Sequence, residues 1–359
     1  IDRFCATYDA VVICDHTSGY YGKYKLLPTL VQLQSDITSP FPPLDLMVHI
    51  GEISAASFND TIPAKEVWRV SEDGELRDPF KKLTTVFQMS EEMFFLHYGK
   101  DGCNRHVLID ECRELFGEIY EQIPELPFCN IWTAMQLSSR LPKGALFHMG
   151  VSNTRRCWNM FQLPESVESA CNVGCCGIDG CVSTLVGASL VNPDRLCYVV
   201  VGDLTFFYDL NSLGNHHIGT NLRVMLVNNG RGTEFRLGIH HCNVFGDDAD
   251  KYMAAAGHFG NKSPLLVKHY AEDLGFHYLS ATTKEEFMTA LSNFTNPQLS
   301  DHSMILEVFT DSKDESEALY LMSHIQSDAK GMVRSKLKDA VRNVAGEKGI
   351  NAIKKILKK

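Results

Sequence analysis

Two apolar runs in the second half of the chain each end in polar residues. The run "LCYVVVGD" ends at Asp203, and the run "LRVMLVNN" ends at Asn229. Continuous runs of Val and Leu that stop at Gly, Asp or Asn are typical of strands buried on both faces of a parallel sheet. The pattern therefore predicts two buried strands, each followed by a side chain that carries an oxygen ligand.

Shorter apolar runs alternate with helical stretches from the start of the chain to about residue 115. The helix "SEEMFFLHYGK" has Ser90 as its predicted N-cap. Prolines and cysteines between about residues 103 and 130 indicate a connector. The other predicted elements are strands in "AVVICD", "LDLMVHIGE", "EVWRVSED" and "TTVFQM", and a helix in "YKLLPTLVQLQS".

A second alternating set begins near Ile131. It runs from the helix "IWTAMQLSSRL" through the strand "GALFHMG" and the Gly-rich loop "NVGCCGIDG" to the helix "CVSTLVGASLV". Strands that alternate with helices indicate parallel sheets covered on both faces. The predicted fold class is α/β, with two doubly wound parallel-sheet domains and a basic helical tail. The predicted boundaries are 1–120 (including the connector), 121–320 and 321–359.

Composition argues against several classes of protein. At 359 residues and 44% hydrophobic content, the chain can bury more than one core. It contains no run of about 18 apolar residues, the length that a membrane span needs. The net charge of −10 argues against a nucleic-acid binder, which needs a basic surface. Because the chain opens on domain-like sequence without a Met, we expect it to be the later part of a longer protein.

The 12 cysteines do not form the dense pattern of a disulfide-stabilised secreted scaffold. Most of them lie in strand-like or Gly-rich contexts, where a thiol behaves as a small apolar side chain. We therefore expect a protein of the reducing cytoplasm. Cys171, Cys175, Cys176 and Cys181 lack paired C-x-x-C spacing, which disfavours a metal site there.

The C-terminal tail is basic, unlike the rest of the chain. Residues 330–359 contain ten Lys or Arg and two acidic residues, a net charge of +8, so the remainder carries −18. Ile350, Ile353, Ile356 and Leu357 recur at helical spacing. The simplest interpretation is a terminal helix that packs on its own or a sister subunit. A helix that binds a membrane surface or another anionic partner is the alternative.

Asp203 and Asn229 are candidate metal ligands. In an open parallel sheet, ligands bind at the carboxyl ends of strands, and one right-handed crossover would place these two strands side by side. A carboxylate, an amide oxygen and a loop carbonyl form half of the octahedral shell of Mg²⁺, which phosphate oxygens and water complete. The helix after Asp203 would add N–H groups toward the phosphates. Taken singly, Asp203 is more simply a helix N-cap and Asn229 a turn residue, but the pair at this spacing favours the metal site.

The residues around this pair resemble the signature of thiamine-diphosphate-dependent enzymes, which opens with Gly-Asp-Gly and closes with Asn-Asn. Gly202 and Asp203 are separated from Asn228 and Asn229 by 24 residues, and Leu204 replaces the third Gly. In this departure the chain is similar to the menaquinone-pathway carboligases, the 2-succinyl-5-enolpyruvyl-6-hydroxy-3-cyclohexene-1-carboxylate (SEPHCHC) synthases. The segments "GIDGCVST", "MGVSNTRR" and "EVWRVSEDGELRDP" also resemble that family, and the resemblance extends to about residue 310.

The resemblance implies an enzyme that forms or breaks C–C bonds. Such enzymes use thiamine diphosphate and Mg²⁺ to decarboxylate a 2-oxoacid donor and transfer the remaining fragment to a small acceptor. It also implies a homo-oligomer, a dimer or a tetramer. The resemblance covers the middle and C-terminal domains only, and nothing in the chain resembles the amino-terminal domain that holds the pyrimidine and supplies the activating glutamate. We therefore expect the chain by itself to be inactive.

The resemblance further implies roles for individual residues. Asp203, Asn229 and the backbone carbonyl of Arg231 would ligate Mg²⁺. Ile178 would support the cofactor in its bent form. The other implied contacts are Gly177, Asp179, Gly202, Leu204 and Thr205 for the cofactor and Ser152, Arg156 and Val173 for substrate, with catalytic roles for Ile178, Glu234 and Phe235.

Two substitutions distinguish the chain from that family. Val173 stands where the family has an Arg, and Glu234 stands where it has an apolar residue. A lost cation and a gained carboxylate disfavour a polyanionic substrate, so we expect a different acceptor. Judged without the resemblance, Ile178 is a core residue, Arg156 a surface salt-bridge residue, and His148 more simply structural than substrate-binding.

Other functions stay open at this point. A simple 2-oxoacid decarboxylase, or a carboligase of polysaccharide synthesis, would use the same site with other substrates. A non-catalytic cofactor-binding or assembly subunit would lack the activating glutamate. A nicotinamide-binding protein is least favoured, because Gly174, Gly177 and Gly180 do not have G-x-G-x-x-G spacing.

Overall fold

A computed structural model of the chain shows helices and parallel strands throughout the part that it describes. None of the helices in that part is long and apolar enough to cross a membrane. The predicted basic tail begins at residue 321, and its residues after position 327 are not among the described residues. The described residues are 1–37, 41–51, 62–174, 176–238, 240–253, 257–258, 260 and 262–327.

The strands confirm the predicted α/β class, because all of their pairings are parallel. They are β1 (Val12–Ile13), β2 (Lys25–Leu26), β3 (Leu44–His49), β4 (Ala64–Ser71), β5 (Leu83–Gln88), β6 (Leu146–Met149), β7 (Glu168–Cys171), β8 (Cys197–Gly202), β9 (Leu222–Asn228), β10 (His277–Ala281) and β11 (Met304–Phe309). One sheet has six strands in the order β10-β11-β9-β8-β6-β7, another has the order β3-β4-β5, and β1 pairs with β2.

The α-helices connect these strands. They are α1 (Asp2–Tyr8), α2 (Thr29–Leu33), α3 (Glu91–Tyr98), α4 (Val107–Glu121), α5 (Asn130–Leu137), α6 (Asn153–Trp158), α7 (Cys181–Val191), α8 (Asp203–Asp209), α9 (Ala249–Tyr252), α10 (Leu266–Asp273), α11 (Lys284–Phe294) and α12 (Ser312–Ser323). Short 3₁₀ helices include Thr233–Arg236 after β9.

The chain divides into two compact units. Among the described residues, the first comprises those of 1–11, 30–124 and 321–327, and the second comprises those of 12–29 and 125–320. The first contains the three-stranded sheet and the second the six-stranded sheet. The domain boundaries predicted from the sequence near residues 120 and 320 stay a prediction.

The core of the first unit is aromatic. Phe94 is fully buried on α3, and its ring lies 5.1 Å from the ring of Phe87 and 4.7 Å from that of Tyr98. Helix α3 begins where predicted, since the Ser90 hydroxyl accepts a hydrogen bond from the Met93 N–H. Fixing this end of α3 directs its apolar side chains onto the sheet.

The core of the second unit forms around β8 and β9. Every residue of β9 is buried, as are Cys197 to Val201 of β8. Helix α7 covers these strands through Val182, Leu185 and Val186. Burying a Val or Leu side chain contributes about 1.5–3 kcal/mol to the free energy of unfolding. The two central strands therefore hold the residues after their carboxyl ends in fixed positions.

Two sequence expectations are corrected. The connector at about 103–130 contains α4, a helix of 15 residues. Its flanking prolines and cysteines concealed an amphipathic pattern whose apolar side chains are buried. The segment "YKLLPTLVQLQS" is helical only from Thr29 to Leu33, because its first part forms β2, which pairs with β1.

Candidate functional site

Strands β8 and β9 are neighbours in the six-stranded sheet, as predicted. They pair in parallel, with Gly202 opposite Val227 at the end of the ladder. Asp203 and Asn229 therefore follow the carboxyl ends of adjacent strands. Asp203 is the first residue of α8, and Gly202 is the N-cap. The adjacency is confirmed, whereas the role of these residues as metal ligands stays a prediction.

The Asp203 carboxylate is almost fully buried, with 2% of the residue exposed. Its Oδ1 accepts a hydrogen bond from the Leu204 N–H at 2.8 Å. Its Oδ2 lies 3.0 Å from Nε2 of His258, which is 55 residues away in sequence. His258 was not singled out from the sequence, because nothing in its Gly-flanked surroundings indicates a contact with Asp203.

Three buried oxygen atoms at and just after the carboxyl end of β9 have no hydrogen-bond partner among the described residues. They are Oδ1 of Asn228, the last residue of the strand, Oδ1 of Asn229, and Oγ1 of Thr233. A buried polar atom without a partner costs about 1–3 kcal/mol, so such atoms within six residues of the chain indicate a site for a ligand. Amide and carboxylate oxygens are the donor atoms that Mg²⁺ prefers. The donor set of Asp203 and Asn229 therefore fits the predicted metal.

A second buried carboxylate lies near Asp203. Glu307 on β11 is 1% exposed and accepts hydrogen bonds from Asn228 Nδ2 and from the Tyr278 hydroxyl, each at 2.7 Å. Burial raises the pKa of Glu307, the two hydrogen bonds oppose that change, and the charge of Asp203 adds to it. Like charges in one buried region destabilise each other, and a cation bound nearby would offset that repulsion. The sequence signal was a Glu inside the apolar strand "MILEVF".

The predicted substrate residues Ser152 and Arg156 contact Glu234 directly. Arg156 donates two hydrogen bonds to Glu234, from Nη1 to Oε2 at 2.8 Å and from Nη2 to Oε1 at 2.7 Å. The Ser152 hydroxyl donates to Oε2 at 2.9 Å. Burial opposes ionisation of Glu234, but Arg156 and Ser152 together outweigh it and lower the pKa of the Glu234 carboxyl. Ser152 has a φ of 64°, a conformation that non-Gly residues rarely adopt and that is enriched at functional sites.

The other predicted residues follow the carboxyl ends of the strands, some on loops, Thr205 within α8 and Phe235 within the 3₁₀ helix Thr233–Arg236. A Cβ atom at Gly177 would lie 2.5 Å from Oδ1 of the exposed Asp179 side chain, which would have to move to admit a larger residue. Phe235 places its ring 5.2 Å from that of His240. Ile178, Val173 and Arg231 are partly buried, Thr205 is buried, and Asp179 is exposed. Their functional roles stay predictions.

His148 is the second-last residue of β6 (Leu146–Met149), next to this edge of the sheet. It is 4% exposed, and its Nε2 has no hydrogen-bond partner within the part of the chain that the structure describes. Burial lowers the pKa of the His148 imidazole, and a hydrogen bond with Asn172 partly opposes this. The ring is therefore neutral at pH 7, and its free nitrogen is a further unmet polar atom in the same region.

The cysteine and histidine side chains of the described ranges form no candidate metal centre. No group of three or more His, Cys, Asp or Glu side chains there is arranged to hold a metal ion. The cysteines that the structure describes all have free thiols. Cys175, a member of the predicted cluster, lies outside the described residues.

Comparison with known proteins supports the predicted closeness to the menaquinone-pathway carboligases. No protein-family model matches the chain. The chain is similar to a protein of Bacteroides fragilis named 2-succinyl-5-enolpyruvyl-6-hydroxy-3-cyclohexene-1-carboxylate synthase, with 33% identity over 263 residues, 72% of this chain and 45% of that protein. A protein of the same name from Phocaeicola vulgatus is 32% identical over 265 residues, 72% of this chain and 44% of its own length. The chain spans less than half the length of these relatives.

Proposed function

We propose that the chain is the cofactor- and metal-binding part of a thiamine-diphosphate-dependent 2-oxoacid decarboxylase and carboligase of SEPHCHC-synthase type. The observation that carries the proposal is the edge of the six-stranded sheet. There the buried Asp203 carboxylate and the unpartnered Asn229 Oδ1 follow adjacent strands. The similarity to SEPHCHC synthases supports the same reaction class.

Different residues at this edge would bind the metal ion and the cofactor. Asp203, Asn229 and the Arg231 carbonyl would hold Mg²⁺, and Mg²⁺ would hold the diphosphate. Thiamine diphosphate, when bound, supplies the electron sink that decarboxylation requires. The chain itself buries the carboxylates of Asp203 and Glu307, which strengthens their attraction for the cation by lowering the local dielectric. Further cofactor contacts would come from Gly177, Ile178, Asp179, Gly202, Leu204 and Thr205.

The finer features of the proposal concern substrates and partners. The donor would be a 2-oxoacid, and the acceptor would be a small molecule other than that of the SEPHCHC synthases. A pyrimidine-binding domain not matched in residues 1–359 would complete the site, so these residues alone would not turn over. A homodimer or homotetramer in the cytoplasm is proposed on the same grounds.

Cofactor binding tests the proposal directly. Thiamine diphosphate is titrated by calorimetry, with and without Mg²⁺, into the full encoded protein and its Asp203→Ala and Asn229→Ala variants. Loss of a direct metal ligand should weaken Mg²⁺-dependent binding by more than about 100-fold, beyond the effect of losing an outer-shell partner. Asp194→Ala removes an exposed carboxylate on the turn before β8 and serves as the control. Unchanged affinity in Asp203→Ala would contradict the assignment.

The alternative functions differ in their products. A simple decarboxylase would release CO₂ and an aldehyde from a 2-oxoacid, whereas a carboligase would join the fragment to an acceptor. Product analysis of the full encoded protein separates these two. Binding of cofactor without turnover of any 2-oxoacid would favour the non-catalytic subunit.

A further inference from the structure

Glu234 takes both of the hydrogen bonds that the Arg156 guanidinium could offer to a ligand carboxylate. An Arg guanidinium recognises a carboxylate through two parallel N–H···O bonds, and Glu234 already accepts both. The Ser152 hydroxyl donates to the same carboxylate. An internal carboxylate therefore makes the contacts that an anionic ligand would otherwise make.

Displacing Glu234 would be unfavourable. The Arg156 side chain is 24% exposed and that of Glu234 21%, so both charges are largely removed from water. A ligand carboxylate at this position would leave Glu234 without its partner and place a second negative charge beside it. Like charges brought together in a desolvated site are strongly disfavoured.

The acceptor positions that Ser152, Arg156 and Glu234 do not use among themselves define which ligand group can bind there. Two carboxylate oxygens offer about four acceptor positions. Oε2 of Glu234 uses two of them, for Ser152 and Arg156, and Oε1 uses one for Arg156. One acceptor position on Oε1 and the lone pairs of the exposed Ser152 hydroxyl are left. These atoms accept hydrogen bonds and lie beside the Arg156 cation, which disfavours a second cation, so they suit an uncharged donor group such as a hydroxyl.

We propose that Glu234 is a specificity-determining residue whose carboxylate fills the anion position formed by Ser152 and Arg156, so that the substrate group bound there is a neutral hydroxyl. The proposal rests on the proposed function only in placing Ser152 and Arg156 at the substrate site. It names the substrate class at that position, an uncharged hydroxylated group in place of a carboxylate.

The test is anion binding measured without cofactor. Glutarate, a simple dicarboxylate, is titrated by calorimetry into the full encoded protein and into Glu234→Gln, which keeps the shape of the side chain and removes its charge. We expect no binding by the unmodified protein at millimolar glutarate and at least about tenfold tighter binding by the variant. Arg156→Ala in the Glu234→Gln background should abolish the gain, because the guanidinium holds the anion.

Controls make the outcome decisive. Glu165→Gln removes one negative charge from an exposed turn and should leave glutarate binding unchanged. Circular dichroism checks that each variant is folded, and Glu234→Ala provides the same test if Glu234→Gln does not fold. Tight glutarate binding by the unmodified protein, or a folded variant without gain, overturns the proposal. Because no thiamine diphosphate is present, this result is independent of whether the proposed cofactor site is correct.

Discussion

Two groups of polar residues, both predicted from the same resemblance, differ in how far their hydrogen bonds are satisfied. At the sheet edge, Asn228 and Asn229 bury oxygen atoms that have no partner among the described residues, at the end of the strand next to the one that Asp203 follows. In the second group, Arg156 and Glu234 satisfy each other through two hydrogen bonds. The resemblance predicted a ligand at both places. The unmet hydrogen-bonding capacity points to a ligand at the first place, whereas the paired charges of the second leave no position for an anion.

The buried carboxylates show the same contrast through their ionisation. Glu234 has a cationic partner, and the pKa of its carboxyl is lowered despite burial. Glu315 on α12 is buried and accepts hydrogen bonds from the Asn130 N–H and the Thr310 hydroxyl, both neutral groups. Burial raises the pKa of Glu315 to about 7, and these hydrogen bonds only partly oppose it. A charged partner, rather than burial alone, decides which carboxylate stays ionised.

The largest predicted effect sharpens this contrast at Glu315. A raised folded pKa gives stability that is fully present below the unfolded value of 4.5 and is lost as the pH rises through about 7. Glu315→Gln cannot ionise, so its stability relative to the unmodified protein should rise by about 3 kcal/mol between pH 4.5 and pH 8. Urea unfolding at several pH values measures this difference.

The amide of Glu315→Gln adds a cost that is independent of pH, so only the change with pH reports the ionisation. Glu317→Gln on the exposed face of the same helix is the control and should show a much flatter profile. A flat profile for Glu315→Gln would mean that the Glu315 carboxylate is already charged and paired.

The second prediction concerns the Asn229 side-chain oxygen, which has no hydrogen-bond partner among the described residues. At a ligand concentration of 100 times the dissociation constant, binding raises the free energy of unfolding by about 2.7 kcal/mol. We expect Mg²⁺ with thiamine diphosphate to stabilise the full encoded protein by this amount and to give Asn229→Leu almost no stabilisation. Thermal unfolding with and without ligands measures the effect. Asn293→Leu, at an exposed position of α11, is the control, and equal stabilisation of both variants would remove Asn229 from the site.

The third prediction breaks the satisfied pair. Arg156→Met leaves the Glu234 carboxylate without its cation and should lower the free energy of unfolding by about 2 kcal/mol, less than for a fully buried pair because both side chains are about a fifth exposed. The double variant Arg156→Met/Glu234→Leu should recover most of this loss, since no lone charge remains. Denaturant unfolding measures both variants.

An exposed ion pair provides the comparison for that measurement. Arg195 lies 3.0 Å from Glu168, whose side chain is 61% exposed. Arg195→Met should therefore cost less than about 1 kcal/mol for the lost ion pair. A loss in Arg156→Met no greater than in Arg195→Met would show that the Arg156–Glu234 pair contributes little.

The elements that sequence predicts well are those whose burial is continuous. Strands β8 and β9 are long apolar runs, and α7 begins at Cys181 directly after a Gly-rich loop. The edge strand β7, "ESAC", was missed because its burial alternates weakly and leaves no apolar pattern. The β-propensity of its residues matters less for this short edge strand than its pairing with β6. A single sequence does not reveal that pairing.

Asp203 and Asn229, and through the resemblance Arg156 and Glu234, were predictable as members of the site, whereas His258 and the pairings of these side chains were not. Asp203 and Asn229 follow buried strands, so their position depends only on local pattern and on sheet topology. The partners are remote: His258 is 55 residues from Asp203, and Glu234 is 78 residues from Arg156. Such pairings arise from tertiary packing of loops, for which neither spacing nor periodicity carries a signal.

The smallest predicted effect concerns acid stability of the satisfied pair. Because the folded pKa of Glu234 is lowered, its contribution is present above the unfolded value of 4.5 and is lost as the pH falls through the folded value. Glu234→Gln lacks this contribution, so the stability difference between the unmodified protein and the variant should shrink as the pH falls from 6 to 3. Partial exposure and opposing burial limit the change to less than about 1 kcal/mol. Glu165→Gln should show no such trend, and a difference that grows toward acid pH would mean that Arg156 does not hold Glu234 ionised.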